Sequence, residues 1–257
     1  MAQSSYNVPS LQKTLDIFEM LMPYPEGLTL TELQLKLDYP KSSLFRITQV
    51  LVDREYLQRC PLEQKFSLTK KFLQLGLSTL QEKNIIEDSL PYMRVLRNQF
   101  KDTILLGTIT NKDAILLEQV LGTEPFIFML QPGKKFNFHA SVLGKCMLAY
   151  FPEKEREEML THVSFIKYNK NTITDPFIFR THLEQIEKQG YAVDQAEEID
   201  AVHCIGAPIF DQYGYPLACI WMTAPAHRLP EEDFSRIGHI FAETAGAISK
   251  LYGYQKK

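Results

Sequence analysis

The stretch that decides the fold of the first part of the chain is LTLTELQLKLDYPKSSLFRITQVLVD, residues 28–53. Thr29 and Glu32 have the spacing of a capping box, which predicts a short helix that begins just after Thr29. The segment from Asp38 to Pro40 breaks that helix, and Pro40 is well placed to start the next one. Two short helices joined by so tight a turn indicate a helix-turn-helix.

The second helix of this pair has one apolar face and one polar face. Leu44, Ile47 and Leu51 share the apolar side, as a repeat of 3.6 residues requires. The opposite stripe contains Arg46, Gln49 and small hydroxyl side chains, which suit contacts to guanine, adenine and phosphate. An ordinary surface helix shows the same amphipathic pattern, so it is the residue types on the stripe that favour DNA.

Neighbouring segments complete this unit. A helix that begins at Ser10 precedes the pair, and the alternating runs EYLQRC and QKFSLT, residues 55–60 and 64–69, predict a hairpin after it. Residues 36–71 contain eight Lys and Arg against four Asp and Glu, and eight minus four gives +4, although the whole chain carries −3. These features predict a winged helix-turn-helix. The predicted DNA-binding residues are Thr29, Lys41, Ser42, Ser43, Phe45, Arg46, Gln49, Arg59 and Lys65.

Composition limits the class of protein. A chain of 257 residues with 45% apolar composition is long enough for two modest domains. The four cysteines form no Cys-x-x-Cys pair, and the N-terminus lacks a basic start followed by an apolar run, so we expect a reducing cytoplasm. No stretch approaches the ~20 apolar residues of a membrane span. We therefore expect no membrane partner.

The second half of the chain predicts an antiparallel sheet with packed helices. TILLGTIT and AILLEQV, residues 103–110 and 114–120, predict a hairpin, and PFIFML, residues 125–130, predicts a third strand. YAVD, HCIGAPIF and PLACIWMTA complete the sheet, with Gly214 in the last turn. The predicted helices are residues 86–100, kinked or started at Pro91, a helix from Val142, and residues 152–163, 175–190 and about 230–252.

A candidate active site lies in FHASVLGKCMLAYF, residues 138–151, which brings a histidine, a serine, a lysine and a cysteine together. Lys145 lies four positions after Ser141, not three as in the penicillin-binding type of serine site, and the chain contains no Gly-x-Ser-x-Gly elbow. We predict that Ser141 caps a mostly buried helix whose apolar surface is interrupted by Lys145. His139 is predicted to be a satisfied, partly buried imidazole.

A metal site is an alternative interpretation of the same region. His139, Cys146, His203 and Cys204 would have to converge in the fold. The sequence shows no His-x₃-His or paired-cysteine spacing that would support this. We therefore predict no metal.

Seven motifs follow one another along the chain. The first half contains SLQKTLDIFEML, LTLTELQLKLDYPKSSLFRITQVLVDREYL and FSLTKKFLQLG. The second half contains FHASVLGKCMLAYFP, TITDP, IEKQGYAVDQAEE and VHCIGAPIFDQYGYPLACI. These motifs, from about Val8 to Tyr252, resemble the IclR (isocitrate lyase regulator) family of bacterial transcription regulators. The resemblance implies an α+β protein with a winged helix-turn-helix at residues 5–68, a linker helix at 69–84 and an effector-binding GAF-like domain at 85–257. It also implies a homodimer or a dimer of dimers on double-stranded operator DNA.

Ligands of the resembled family lie between the start of the His-Ala-Ser helix and the sheet. The matching residues here are Phe128, Ser141, Val142, Leu143, Asp194, Val202, Cys204, Trp221 and Thr223. An anionic metabolite can use the free N–H groups and positive end of that helix. Asp194 is expected either to cap a turn or to accept a hydrogen bond from a ligand hydroxyl, and Cys204 to be a packing residue. We expect no cofactor besides this small-molecule effector.

Departures from the family pattern bear on the ligand. Trp221 stands where the family often has a small hydroxyl residue, and an indole there should shrink the cavity or add a stacking wall. Ala201 and His203 replace a common Gly and Arg. The usual small-acid ligand is therefore in question.

Two functions of different class fit the sequence. The first is a ligand-responsive transcriptional regulator, with repression favoured over activation. The second is a metabolite-binding protein or enzyme that uses the GAF-like domain, with the helix-turn-helix as an assembly element. The enzyme interpretation requires a nucleophile, a base and an orienting group, and the predicted pocket residues form no such set.

Overall fold

The computed structural model of the chain describes residues 8–79, 84–125 and 127–255. The chain divides into two units, Met1–Glu82 and Lys83–Lys257, and each contains its own hydrophobic core. Some predictions fall outside the described residues. They are the start of the first domain at residues 5–7, residues 80–83 of the linker helix, Phe126 of the third strand and the last two residues.

The first unit is a winged helix-turn-helix, as predicted. Its helices are α1 (Pro9–Leu21), α2 (Leu30–Leu37), α3 (Lys41–Asp53) and α4 (Lys71–Thr79). Its antiparallel sheet contains β1 (Leu28–Thr29), β2 (Leu57–Arg59) and β3 (Lys65–Leu68) in the order β1-β3-β2. The sequence does not predict β1, because two residues are too short to show an alternating pattern.

The start of α2 and the turn between α2 and α3 have the hydrogen bonds and backbone angles expected from the sequence. The Thr29 hydroxyl accepts a hydrogen bond from the Glu32 N–H (3.2 Å), and the Glu32 carboxylate accepts one from the Thr29 N–H (2.7 Å). Asp38 ends α2 in the left-handed conformation with φ of 53°, and Pro40 is the N-cap of α3. Leu33 and Leu44, on either side of this turn, are fully buried. The apolar faces of the two helices therefore form the core of the unit.

The second unit is an antiparallel six-stranded sheet with helices on both faces. Its helices are α5 (Ile85–Phe100), α6 (Val142–Tyr150), α7 (Glu153–Leu160), α8 (Pro176–Gln189) and α9 (Phe234–Leu251), with a short 3₁₀ turn at Glu231–Asp233. Its strands are β4 (Thr103–Thr110), β5 (Asp113–Val120), β6 (Lys135–Phe136), β7 (Ala192–Gln195), β8 (Val202–Phe210) and β9 (Pro216–Pro225). The strand order is β6-β5-β4-β9-β8-β7.

Alternation along the strands divides the second unit into two cores. Successive side chains of a strand point to opposite faces of the sheet. On β9, Cys219 and Trp221 belong to the core beneath α6 and α8, while Ile220 and Met222 belong to the core beneath α5 and α9. The sheet is therefore the middle layer of three, and both of its faces are covered.

Most predicted turns are where the sequence places them. Asn111 and Lys112 join β4 to β5 with φ of 49° and 67°, the two positive angles of the favoured two-residue hairpin turn. Gly190 ends α8 with φ of 86°, as its predicted C-cap. These positions confirm that local turn chemistry sets the strand and helix boundaries.

The predicted third strand at residues 125–130 is wrong. Its described residues, 125 and 127–130, are irregular, and the strand that pairs with β5 on the side away from β4 is β6 at Lys135–Phe136. The Gln119 side chain accepts a hydrogen bond from the Leu130 N–H (3.0 Å) and donates one to the Leu130 carbonyl. A side-chain amide thus takes both backbone groups that a neighbouring strand would otherwise pair with.

The predicted helix at residues 86–100 is α5, and Pro91 lies inside it and does not start it. The helix begins at Ile85, where the Asn84 side chain accepts a hydrogen bond from the Ile86 N–H (3.0 Å). One helix start differs from prediction. The closing helix α9 begins at Phe234 and not near Pro230, since the 3₁₀ turn occupies the intervening residues.

Two helical glycines give a test of the packing. A Cβ added at Gly144 of α6 would lie 2.4 Å from the Phe138 Cα, whereas one added at Gly246 of α9 would meet nothing within 4 Å. We expect Gly144→Ala to destabilise the protein by about 1–3 kcal/mol, because backbone atoms cannot swing aside. The matched change Gly246→Ala should stabilise it by about 0.5–1 kcal/mol. Thermal unfolding followed by circular dichroism compares them, and equal shifts would contradict the packing argument.

Candidate functional site

The polar face of α3 is accessible on the first unit. Lys41, Ser42, Arg46 and Asp53 are exposed, and Ser43 and Gln49 are half-buried. The apolar side of the helix is anchored by Leu44, which is fully buried. The face is therefore held by a packed helix, as a rigid reading surface requires.

Phe45 lies beside that polar stripe and is 47% exposed. An aromatic ring of this size is normally buried in a core, so its exposure leaves apolar area available to a partner. The structure places the ring on the flank of the stripe, as the sequence predicted.

The wing places Arg59 and Lys65 on either side of its turn. The Cys60 N–H donates to the Lys65 carbonyl (2.9 Å), which closes the hairpin. The Arg59 guanidinium bonds to the Gln64 side chain and lies 5.3 Å from the centre of the Phe66 ring. The Lys65 ammonium pairs with Glu63 at 2.6 Å, so this cation is already partly neutralised by a neighbour.

Thr29, another predicted contact, has a structural role in addition. Its hydroxyl donates to the Glu32 carboxylate (2.8 Å) as well as accepting from the Glu32 N–H. That hydrogen bonding is the cap of α2. Any contact of Thr29 with phosphate has to be compatible with the cap.

An internal pocket lies in the second unit between the start of α6 and the sheet. Its volume is about 50 Å³. All nine residues that the sequence assigned to a ligand line it: Phe128, Ser141, Val142, Leu143, Asp194, Val202, Cys204, Trp221 and Thr223. Sequence reasoning missed Phe136, Glu198 and Ile199, which also line it. A wider groove of about 550 Å³ lies elsewhere on this unit, near Tyr150 and Tyr254, but it is open to solvent and contains none of these nine residues.

Phe128 reaches the pocket from the irregular segment before β6 and not from a strand. Phe128 therefore lines the pocket as predicted, but the prediction that it lies on a strand was wrong. Phe136, at the neighbouring edge of the sheet, meets the Trp221 ring edge-on with the ring centres 5.5 Å apart. These aromatic side chains form the apolar wall of the pocket.

Ser141 is the N-cap of α6, as predicted. Its hydroxyl accepts a hydrogen bond from the Gly144 N–H (3.1 Å) and donates one to the Asn137 carbonyl (2.6 Å). Both partners are backbone groups, which is the bonding of a cap and not of an activated nucleophile. The first N–H groups of a helix have no partner inside it, so those of Val142 and Leu143 are the ones that face a pocket at this end.

Lys145 is the residue whose role the sequence did not reveal. It was expected to interrupt an apolar surface, but its side chain is completely buried and paired with the Glu197 carboxylate. The ammonium also donates to the Val193 carbonyl (2.6 Å). The signal in the sequence was a lysine on an otherwise apolar helix. Such a lysine is buried, and a buried cation requires a buried anion elsewhere in the fold.

Asp194 caps a turn, which is one of the two roles that the sequence offered for it, and it also lies at the pocket. One of its carboxylate oxygens accepts a hydrogen bond from the Glu197 N–H (2.8 Å), which fixes the turn after β7. The residue is 7% exposed and lines the pocket. Burial raises the pKa of this carboxyl to about 7, against the opposing effect of Lys145.

Cys204 is a packing residue, as predicted. It is almost fully buried, and its sulfur lies 3.3 Å from the Thr223 hydroxyl. Burial raises the pKa of the thiol well above its ordinary value. A thiol that stays protonated is a poor nucleophile and a poor metal ligand.

The two histidines of the alternative metal site bond separate backbone carbonyls. The His139 ring bonds the Ile166 carbonyl (2.9 Å), and the His203 ring bonds the Leu229 carbonyl (2.8 Å). His139 is thus satisfied, as expected, but it is fully buried and not partly so. Among the described residues, no group of three or more His, Cys, Asp or Glu side chains is placed to hold a metal ion.

The comparisons with known proteins cover both units of the chain. The model of the IclR helix-turn-helix domain matches residues 10–61, and that of the bacterial transcriptional regulator IclR C-terminal domain matches residues 77–250. The chain belongs to the IclR family of bacterial transcriptional regulators. It is thus a transcriptional regulator, built from a helix-turn-helix domain and the C-terminal domain of the IclR family.

Individual IclR-family relatives align over nearly the whole chain. The HTH-type transcriptional regulator BhcR of Paracoccus denitrificans is 30% identical over 96% of this chain and 88% of its own length. The transcriptional repressor IclR of Escherichia coli is 25% identical, with coverage of 98% and 93%. A crystal structure of an IclR homologue from Microbacterium hydrocarbonoxydans, complexed with 4-hydroxybenzoate, has a TM-score of 0.79 at 19% identity, covering 94% of this chain and 99% of that one. The last of these shows the fold.

The family consists of regulators and not of enzymes, which agrees with the bonding of Ser141 as a cap. In the described part of this IclR-family chain, no helix is long and apolar enough to cross a membrane.

The buried ion pair gives a stability prediction. Lys145→Met should lower the free energy of unfolding by about 3–5 kcal/mol, because it leaves the Glu197 carboxylate buried without its cation. Combining it with Glu197→Gln should recover part of the loss. The control is Lys112→Met, which breaks an exposed pair with Glu158 (2.8 Å) and should change stability little. Urea unfolding at pH 7 compares the variants, and a Lys145→Met protein as stable as the control would show that the pair contributes nothing.

Trp221 gives a prediction about ligand preference. Its side chain is almost fully buried and fills the space between Phe136 and the start of α6. Trp221→Ser should therefore enlarge the pocket and shift preference towards larger organic acids such as 4-hydroxybenzoate. Isothermal titration calorimetry with acids of increasing size measures this shift. An unchanged ligand profile would count against Trp221 as the residue that limits the size of the ligand.

Proposed function

We propose that this IclR-family regulator represses transcription by binding operator DNA as a dimer, and that a small organic acid in the pocket changes its affinity for that DNA. The observation that carries the proposal is the pairing of an accessible polar face on α3 with an enclosed pocket at the N-terminus of α6. Its action then lies in the cytoplasm, where the operator is.

The residues of α3 and the wing divide between base and phosphate contacts. Arg46 and Gln49 have the side chains that recognise guanine and adenine in the major groove, and Phe45 can meet a thymine methyl group. Lys41, Ser42 and Ser43, at the start of the helix, suit phosphates, which helix N-termini also attract. Arg59, Lys65 and Thr29 are proposed to contact the backbone beside the groove.

The pocket suits a very small organic acid. One water needs roughly 10–15 Å³ of such a cavity, so about 50 Å³ accommodates only a few non-hydrogen atoms. The free N–H groups at the start of α6 favour a negative group on the ligand. The 4-hydroxybenzoate of the Microbacterium relative supports the chemical class, and Trp221 and Phe136 limit the size.

A homodimer, or a dimer of dimers, follows from the way helix-turn-helix regulators read DNA. One recognition helix covers only a few base pairs, and two copies on adjacent major grooves supply the affinity and specificity of a regulator. The effector then acts by changing how the two copies meet the operator, which is a coupling between two sites.

The enzyme interpretation has no observation in its favour. Ser141 and His139 bond to separate backbone carbonyls, and the Cys204 thiol is kept protonated by burial. We therefore propose that the protein performs no chemistry on its ligand.

Arg46 provides the test of DNA binding. Fluorescence anisotropy of the full chain against DNA upstream of its own gene, with excess unrelated duplex, should show specific binding at least ~10³-fold tighter than non-specific binding. Arg46→Ala should cost about 1–3 kcal/mol if the guanidinium pairs with a guanine. If it pairs with a phosphate, the slope of binding against salt should fall by about one unit.

Arg94→Ala is the matched control, since it removes an exposed arginine from α5 of the other unit. It should leave both affinity and salt slope unchanged. Equal effects of the two substitutions would place the DNA contact outside α3. If the protein binds none of the tested duplexes more tightly than random DNA, with or without organic acids, the proposed function is wrong.

A further inference from the structure

The pocket is rich in carboxyl groups and poor in cations. Asp194 and Glu198 line it, and Glu197 lies directly behind, held in the turn after β7. The charged or titratable groups that act on Asp194 from the other elements are Lys145 of α6 and Cys204 of β8, and His182 of α8 lies near the pair formed by Lys145 and Glu197. Only one of these, Lys145, is a permanent cation.

Lys145 is committed to a different anion. Its ammonium pairs with the Glu197 carboxylate and donates to the Val193 carbonyl (2.6 Å). The second Glu197 oxygen is buried and has no hydrogen-bond partner among the described residues. In the same part of the chain Lys145 donates to Glu197 and Val193, and it acts on Asp194 through its charge and not through a hydrogen bond. Asp194 therefore receives one N–H, from Glu197 at 2.8 Å, and no cation of its own.

A ligand carboxylate entering this pocket brings one more negative charge next to Asp194. Two carboxylates that share a buried site repel each other strongly, and the common solution is that they share one proton. The free N–H groups of Val142 and Leu143 can stabilise the ligand charge but carry no net charge themselves. One of the two negative charges, on Asp194 or on the ligand, therefore has to be neutralised when an acid binds.

We propose that the effector carboxylate binds together with one proton, which Asp194 holds and donates to the ligand as a hydrogen bond. The ligand stays ionised, the proton comes from solvent, and no covalent bond forms or breaks. The inference rests on the proposed function, because it assumes that the effector is an organic acid. It makes Asp194 a hydrogen-bond donor that selects carboxylates, in addition to its role in the turn.

The titration of the surrounding groups supports this assignment. Burial raises the pKa of Asp194 from 3.8 to about 7, so the acid form is held below neutral pH and lost above it. Burial, followed by Lys145, lowers the pKa of His182 to about 4, so this ring stays neutral and supplies no positive charge. The Cys204 thiol keeps its proton, because burial raises its pKa. Asp194 is the group of this set that changes charge near pH 7.

Calorimetry of the full chain with glycolate tests the proposal, since glycolate is small enough for the pocket and is ionised throughout. Titrations at pH 8 in HEPES and in Tris, whose ionisation heats differ, give the number of protons taken up. We expect about one proton for glycolate at pH 8 and close to none at pH 6, where empty Asp194 already holds it. Glycolate affinity should weaken about tenfold between pH 6 and pH 8. Glycolamide, the uncharged analogue, should show no proton uptake.

Asp194→Asn is the decisive variant, because the amide keeps a donor for the ligand and an acceptor for the Glu197 N–H but cannot titrate. It should bind glycolate without proton uptake and with an affinity independent of pH. Asp200→Asn, which removes an exposed carboxylate six positions along the chain, should behave as the unaltered protein. Thermal unfolding and operator binding confirm that both variants are folded.

Glycolate binding without proton uptake at pH 8, or proton uptake that persists in Asp194→Asn, would overturn the proposal. So would failure of glycolate to bind while operator binding is intact, because the pocket would then not select small carboxylates. Loss of operator binding in the unaltered protein is a separate result. It would contradict the regulator function and not the chemistry of the pocket.

Discussion

A buried ion pair connects α6 to the turn after β7 in the second unit. Lys145 projects from the first turns of α6 and meets Glu197 in the turn between β7 and β8, while Glu197 in turn binds Asp194 through its backbone N–H. Breaking such a pair leaves a charge in a medium that cannot solvate it, so the helix and the turn have to keep their relative positions. The pocket lies between these two elements, and its shape depends on that constraint.

Local chemistry explains why so much of the fold follows from the sequence. The capping box at Thr29, the left-handed Asp38 and the N-cap at Pro40 act within a few residues, and the structure reproduces them. Apolar, β-branched runs likewise predict β4, β5, β8 and β9. The segment at residues 125–130 has an apolar composition typical of a strand, but the side chain of Gln119, eleven residues before Leu130, takes the backbone N–H and carbonyl of Leu130.

The pocket divides in the same way. The nine residues expected around it could be predicted because the resemblance to the family gave their positions. No spacing in the sequence would have selected them. Lys145 could not be assigned, since its partner lies 52 residues away and the pairing depends on how α6 crosses the sheet. Glu198 and Ile199 reach the pocket through the turn that Asp194 caps, which is again a tertiary effect.

The alternation along β9 separates two kinds of sequence change. Trp221 and Thr223 face the pocket, whereas Ile220 and Met222, their direct neighbours, pack against α5 and α9. A substitution that alters ligand preference therefore leaves the opposite core untouched. Such an arrangement allows the wall of the pocket to diverge through one or two codon changes, without rebuilding the scaffold that holds the strand.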